Sequence, residues 1–393
     1  MNEKNELYAK LGVSSKKEDV HEAVKKLDKG LFPGAFCKIV EDISGRQDYC
    51  SIFHSDGAGT KASLAYMYYK ETGDISIFRG IVRDAIVMNI DDVMCVGATG
   101  KMFISNNLSR NSKLISGEIV KIIIEEYQNY CNKISQLGIP LILTGGETAD
   151  VGDLVRTLVV DASLFTIMER KNIIDLSNIR EKDIIIGLSS EGKASYEEEY
   201  NSGISSNGLT LARHGMLSHV YYKKYPECYD DNLNESLIFF GKYKLDDKPK
   251  GLKINVGKAL LSPTRTYAPI LLEILKNYHK EIHGIIHNTG GGQIKDLHYG
   301  NGIIYIKDNL FKIPIIFELI QESSGTSWKE MYSVFNMGHR MELFCSEKIA
   351  DDLIGISKKF NIDAKIIGYC EKNLGSQKNI VKIFSEYGDF IYE

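Results

Sequence analysis

The sequence has seven cysteines, and no two are close enough for a CxxC pair. Such an odd, scattered set argues against a disulfide scaffold or a zinc site and fits reduced thiols in a cytoplasmic protein. No apolar run approaches the ~18 residues that span a bilayer, and the opening MNEKNELYAK lacks the apolar stretch of a secretory signal. There is no basic block either: 48 Lys and Arg stand against 52 Asp and Glu, a net charge of −4. Neither nucleic acid nor a membrane is therefore an expected partner. Internal repeats and a Ser/His/Asp triad motif are also lacking. What is present is ordinary for a globular protein: 393 residues, 43% hydrophobic and 25% charged, enough for two domains that each bury a core.

The hydrophobic pattern predicts an α/β (α+β) chain. Residues 1–30 read as a charged lead-in, 31–172 as an N-terminal domain and 173–393 as a C-terminal domain, the boundary falling where the chain turns polar. AFCKIVEDI and DYCSIFHSD, split by SGRQ, read as a hairpin. SLAYMYYKE, Arg79–Val96 and LISGEIVKIIIEEYQNYCNKISQLG have helical spacing, the last two closed by Gly97 and Gly138. PLILT, RTLVVDASLFTIM, DIIIGLSS, EIHGIIH and GIIYIKD read as strands, and DAKIIGYC as the final strand. The Lys/Tyr/Asp/Asn-rich stretch near 218–250 reads as an exposed insertion.

Four groups of residues combine glycine with carboxylate, lysine or hydroxyl. Asp56-Gly-Ala-Gly-Thr60-Lys61 can wrap an anion with its backbone N–H groups, Gly57 and Gly59 allowing close approach and Lys61 adding a point charge; a tight turn with a solvated lysine reads equally well. Asp84, Asp91 and Asp92 sit among bulky apolar residues and ask for a cation or a basic partner unless they face solvent. Gly145-Gly146-Glu147 follows PLILT, at the strand end where open sheets collect ligands, or forms a plain surface turn. Ser206-Asn207-Gly, Thr264-Arg265 and His287-Asn-Thr-Gly-Gly-Gly offer a helix cap, a phosphate fork and a flexible loop. Together they point to magnesium-nucleotide chemistry.

In order and wording, DGAGTK, NIDDVMCVGA, GGETAD, SNGLTLAR, LLSPTRTYAP, HNTGGG and FNMG resemble the phosphoribosylformylglycinamidine cyclo-ligase (aminoimidazole ribonucleotide synthetase) family. The resemblance runs from about Asp56 to Met341. It implies ATP-dependent cyclisation of formylglycinamidine ribonucleotide in purine biosynthesis, with ATP and Mg2+. It also implies a homodimer whose N-terminal sheets join in a barrel, with an active site in the cleft between domains. By motif, Asp56, Gly57, Gly59, Thr60, Lys61, Asp84, Asp92, Gly145, Gly146 and Glu147 would line the nucleotide region, with Asp56, Asp84, Asp92 and Glu147 as metal contacts. Lys61, Asp92 and His287 would be catalytic, and Ser206, Asn207, Thr264 and Arg265 would meet the substrate.

The chain departs from the family pattern at several points. Residues 193–205 are inserted before SNG, Asp91 replaces an asparagine, and His339 and Arg340 occupy small or apolar positions. The rival readings are a catalytically inactive nucleotide-binding sensor or assembly subunit of the same superfamily, or a related ATP-dependent enzyme of it. On an ideal helix Asp84 and Asp91 nearly eclipse, with Asp92 about 80° further round. Spacing would pair Asp84 with Asp91, whereas the resemblance selects Asp92 and expects Asp91→Asn to be tolerated.

Overall fold

The computed structural model describes residues 6–14, 22–23 and 26–393, so most of the 1–30 lead-in lies outside the described residues. The first sheet contains β1 (Ile39–Glu41), β2 (Tyr49–Gly57), β3 (Met102–Arg110), β4 (Leu141–Asp150) and β5 (Leu158–Glu169), in the order β1-β2-β5-β3-β4. Only the β3–β4 pair is parallel; the crossover it needs is the helix Gly117–Gln136. Alternation along β3 and β5 turns Ile104, Leu108, Val160 and Leu164 inward. The opposite face stays open, with Phe53, Phe165, Phe103 and Ile142 in one register row across four strands.

The helix Phe78–Met94 is apolar almost all round, and nearly every side chain on it is buried. A helix with no polar face belongs between layers, and this one packs against β2 and β5 on one side and against the helix Ala268–Tyr278 on the other. The second sheet follows from Ile184 onward. It contains β6 (Ile184–Ser189), β9 (Ile282–His287), β10 (Ile303–Lys307), β11 (His339–Cys345), β12 (Ala364–Lys372), β13 (Ile380–Ser385) and β14 (Gly388–Tyr392). Their order is β14-β13-β10-β12-β6-β11-β9. A small ribbon of β7 (Glu191–Gly192) and β8 (Asn201–Ser202) stands beside it. Among the described residues, no helix is long and apolar enough to cross a membrane.

Three expectations need correction. GGETAD is not a loop beyond a strand but the second half of β4, paired with Asn106–Arg110 through a register shift; Gly145, at φ +98°, takes up the left-handed conformation there. DAKIIGYC is not the last strand, since β13 and β14 extend the sheet edge beyond it. The 218–250 segment is not exposed throughout: many of its residues are, but Tyr221, Tyr225, Tyr229 and Phe239 are buried against one another. Tyrosine has an apolar body and a polar tip, so a segment that reads as polar can still build a core.

Candidate active site between the two sheets

The sheets meet at the C-terminal half of the Phe78–Met94 helix, and Asp92 is where they join. Its Oδ1 lies 2.7 Å from His287 Nδ1, at the end of β9, and its Oδ2 lies 3.5 Å from His54 Nε2 on β2. Period-2 alternation puts His54 and Asp56 on the same, helix-facing side of β2. Asn89, one turn before Asp92, ties that strand down: its amide group hydrogen-bonds the Asp56 carbonyl at 3.1 Å and His54 Nδ1 at 3.1 Å. Asp56 and Asp92 therefore open into the same space. Burial, then the charge of Asp92, pushes the Asp56 carboxyl up; burial also raises Asp92, but His287, Lys295 and His54 together outweigh it and hold that carboxyl low.

Two neighbouring carboxylates that repel one another suit a hard cation. Magnesium characteristically takes one or two carboxylates along with phosphate oxygens and water, which Asp56 and Asp92 can supply. Among the described residues, no group of three or more His, Cys, Asp or Glu side chains is arranged as an all-protein metal site. The four-carboxylate set expected from the motifs is divided. Glu147 shares a register row with Asn107 and Asp161 on the open face of the sheet. Asp84 is fully buried, and its Oδ1 accepts from Lys61 Nζ at 3.0 Å, the Thr264 N–H at 2.6 Å and the Thr264 hydroxyl.

Lys61 is itself completely buried and also donates to the Ser262 carbonyl. Burial pulls its ammonium down, against the pull of Asp84. The pair is thus an internal bolt between the first domain and the 262–266 loop, not a cation facing the cleft. Gly57 is required by close approach, since a Cβ there would lie 1.7 Å from the Asp161 carboxylate. Thr60 stays exposed, its hydroxyl 3.3 Å from that of Thr210, so the Gly57–Thr60 loop faces the start of the helix Leu209–Met216.

The substrate set divides as well. The Arg265 guanidinium forks onto Glu197 at 2.9 and 2.7 Å and donates to the carbonyls of Ser189 and Glu191. The expected phosphate fork is therefore engaged inside the fold. The 193–205 insertion explains why: besides Glu197 it supplies Tyr196, bonded to the Thr266 carbonyl, and Asn201, bonded to the Pro263 carbonyl at 2.7 Å. Ser206 and Asn207 differ. The helix cap is Gly208, at φ +75°, so Ser206 Oγ and Asn207 Oδ1 are buried with no protein partner. They are polar groups waiting for one.

Sequence reasoning missed three contributors. His54 was signalled by alternation with Asp56. Lys295, on the turn after the triple glycine, donates to the Thr289 hydroxyl and lies 4.5 Å over the Phe36 ring; its charge helps hold Asp92 low and offsets part of the rise at Asp56. Arg340 donates from Nε to His287 Nε2 at 3.2 Å. Nothing in local spacing announces a contact 53 residues away.

Residues 37–168 match the family model described as AIR synthase related protein, N-terminal domain. The chain is 30% identical over 328 residues to the phosphoribosylformylglycinamidine cyclo-ligase of Methanococcus vannielii, covering 83% of this chain and 79% of that one. It is 32% identical over 349 residues to the enzyme of that name from Syntrophus aciditrophicus, covering 86% and 85%. In fold it is similar to HypE in a HypE–HypF complex (TM-score 0.54, 14% identity, 96% of this chain and 99% of that one). Phosphoribosylformylglycinamidine synthase II of Thermotoga maritima aligns at TM-score 0.50 and 15% identity over 98% of this chain; the chain spans about half the length of that synthase.

Proposed function

Because the chain belongs to the phosphoribosylformylglycinamidine cyclo-ligase family and is an enzyme of that kind, we propose that it closes formylglycinamidine ribonucleotide to aminoimidazole ribonucleotide, converting ATP to ADP and phosphate. The observation that carries this reading is the convergence of Asp56, Asp92, His287 and Lys295, drawn from both halves of the chain, at the junction of the two sheets.

The formyl amide oxygen is a poor leaving group, so ATP phosphorylates it; the amidine nitrogen attacks the same carbon, and phosphate departs as the ring closes. Ring closure is intramolecular, so holding the substrate folded supplies much of the acceleration. Magnesium bound by Asp56 and Asp92 would neutralise the triphosphate. Lys295 supplies the cationic contact that Lys61, locked to Asp84, does not. The Gly57–Thr60 loop offers backbone N–H groups to phosphate oxygens. Ser206 Oγ and Asn207 Oδ1 take up substrate hydrogen bonds, and His287 orients Asp92. Domains of 31–172 and 173–393, in a cytoplasmic homodimer joined through the open face of the first sheet, complete the proposal.

The test is ATP turnover with purified protein, paired with rescue of a purine-requiring strain that lacks this step. Turnover should depend strictly on formylglycinamidine ribonucleotide. Hydrolysis indifferent to that substrate, together with failed rescue, would sink the assignment.

A further inference from the structure

Arg340 is fully buried at the start of β11. A guanidinium carries only donors, so the nitrogen it meets, His287 Nε2, must be the acceptor. The ring proton then sits on Nδ1, 2.7 Å from Asp92 Oδ1. Backbone pairing fixes the approach, since Met341 is in register with His287 and the Asn288 N–H bonds the Arg340 carbonyl at 2.7 Å. A second nitrogen is anchored too, Nη2 donating to the Arg265 carbonyl, and the group lies 5.4 Å over the Tyr267 ring, while Nη1 is buried without a hydrogen-bond partner.

Tyr267 leads to the next charge. Its N–H donates to Asp91 Oδ2 at 2.8 Å, and Thr266 Oγ1 donates to Asp91 Oδ1 at 2.6 Å. Asp91 and Arg340, the acid and the base that depart from the family pattern, thus bracket one loop, and each is a buried charge that the other helps to balance.

We propose that Arg340 is a positioning residue: it fixes His287 in the Nδ1–H tautomer, aims that N–H at Asp92 Oδ1, and leaves Asp92 Oδ2 as the oxygen presented to the cleft. Its effect on turnover rests on the reading of the site above; its effect on the ring does not.

The test uses the full-length protein with ring-15N histidine, the His287 signals being identified by their loss in His287→Gln. The parent should show a protonated Nδ1 and a bare Nε2; a protonated Nε2 overturns the proposal, whatever reaction the protein catalyses. Arg340→Lys keeps the charge near Asp91 but lacks the Nε donor, so it should fold, lose the fixed tautomer and lose roughly 10- to 100-fold in kcat, with KM for ATP little changed. Arg340→Met alone risks the fold by leaving Asp91 unbalanced, so Arg340→Met combined with Asp91→Asn is the second arm. Stability should recover in part in the double variant, short of the parent because Asp91→Asn leaves one donor unmatched, while the tautomer and kcat do not recover. If the double variant regains parental kcat, Arg340 only balances Asp91 and the proposal fails.

Discussion

Neighbouring aspartates on one helix have opposite tasks here. Asp92 meets two histidine nitrogens and the cleft, whereas Asp91 points into the 262–267 loop and accepts a backbone N–H and a hydroxyl. Asp92→Asn keeps an acceptor for His287 Nδ1–H, so it should leave the fold intact and abolish turnover. Asp91→Asn turns an NH2 group toward one of two donors, so the tolerance expected from the family pattern is withdrawn. A buried donor left unmatched costs about 1–3 kcal/mol, readable as a lower denaturant midpoint with unchanged m. Lys61→Met leaves the buried Asp84 carboxylate without its cation, a loss of about 3–5 kcal/mol, and adding Asp84→Asn should recover much of it. Loss of activity at parental stability would instead mean that Lys61 reaches the cleft. For Lys295→Met the expectations reverse: stability near parental and turnover down roughly 10²-fold.

Elements were legible in the sequence wherever burial has a period. The Phe78–Met94 helix and strands β2, β5, β6 and β9 all declare themselves through apolar spacing. GGETAD misled because its glycines read as a turn, although one of them merely absorbs a register shift within β4. The site was legible in part: Asp56, Asp92 and His287 meet as their motifs implied, but Lys61, Asp84, Thr264 and Arg265 turn out to be bonded to one another or to the insertion. A motif specifies residue types, not which partner each side chain finds. The same holds for β10 and β11, whose inward positions carry Lys307, His339 and Glu342 where apolar residues are the norm. Lys307 Nζ lies 2.8 Å from Asp296 and 2.6 Å from Glu342, all with fully buried side chains. One ammonium cannot balance two carboxylates, so a proton stays with the pair: burial and Glu342 push Asp296 up to about 8, while at Glu342 burial is outweighed by Lys307 and His339 together, which hold it down to about 2. An unfolded aspartate titrates near ~4, so between that pH and about 8 the native state holds a proton that the unfolded state has lost. Stability from this group is therefore full below ~4 and declines as pH rises toward 8, by up to ~1.4 kcal/mol per pH unit. Urea unfolding of parent and Asp296→Asn at about pH 5, about pH 6.5 and about pH 8 isolates the effect: the parent should weaken with rising pH relative to the variant. Parallel curves would remove the shared proton.

At the scale of the whole molecule, β2 couples the site to the outer surface. Its even residues, His54 and Asp56, face the helix and the cleft, while Phe53 points the other way and is 66% exposed. Phe53 continues through Phe165 and Phe103 to Ile142, a row of large apolar side chains across the sheet. A contiguous apolar row on an open sheet face is an association surface, and the homodimer proposed above would cover it. Because adjacent residues of one strand serve the two faces, the interface should also steady the carboxylate end of β2. Phe53→Lys combined with Ile142→Glu introduces two charges at that face without touching a site residue. Sedimentation should then change from dimer to monomer with the far-UV spectrum unchanged, and turnover should fall although Asp56, Asp92 and His287 remain. A monomer with parental turnover would separate association from catalysis, and a parent already monomeric at assay concentration would leave the row to some other partner.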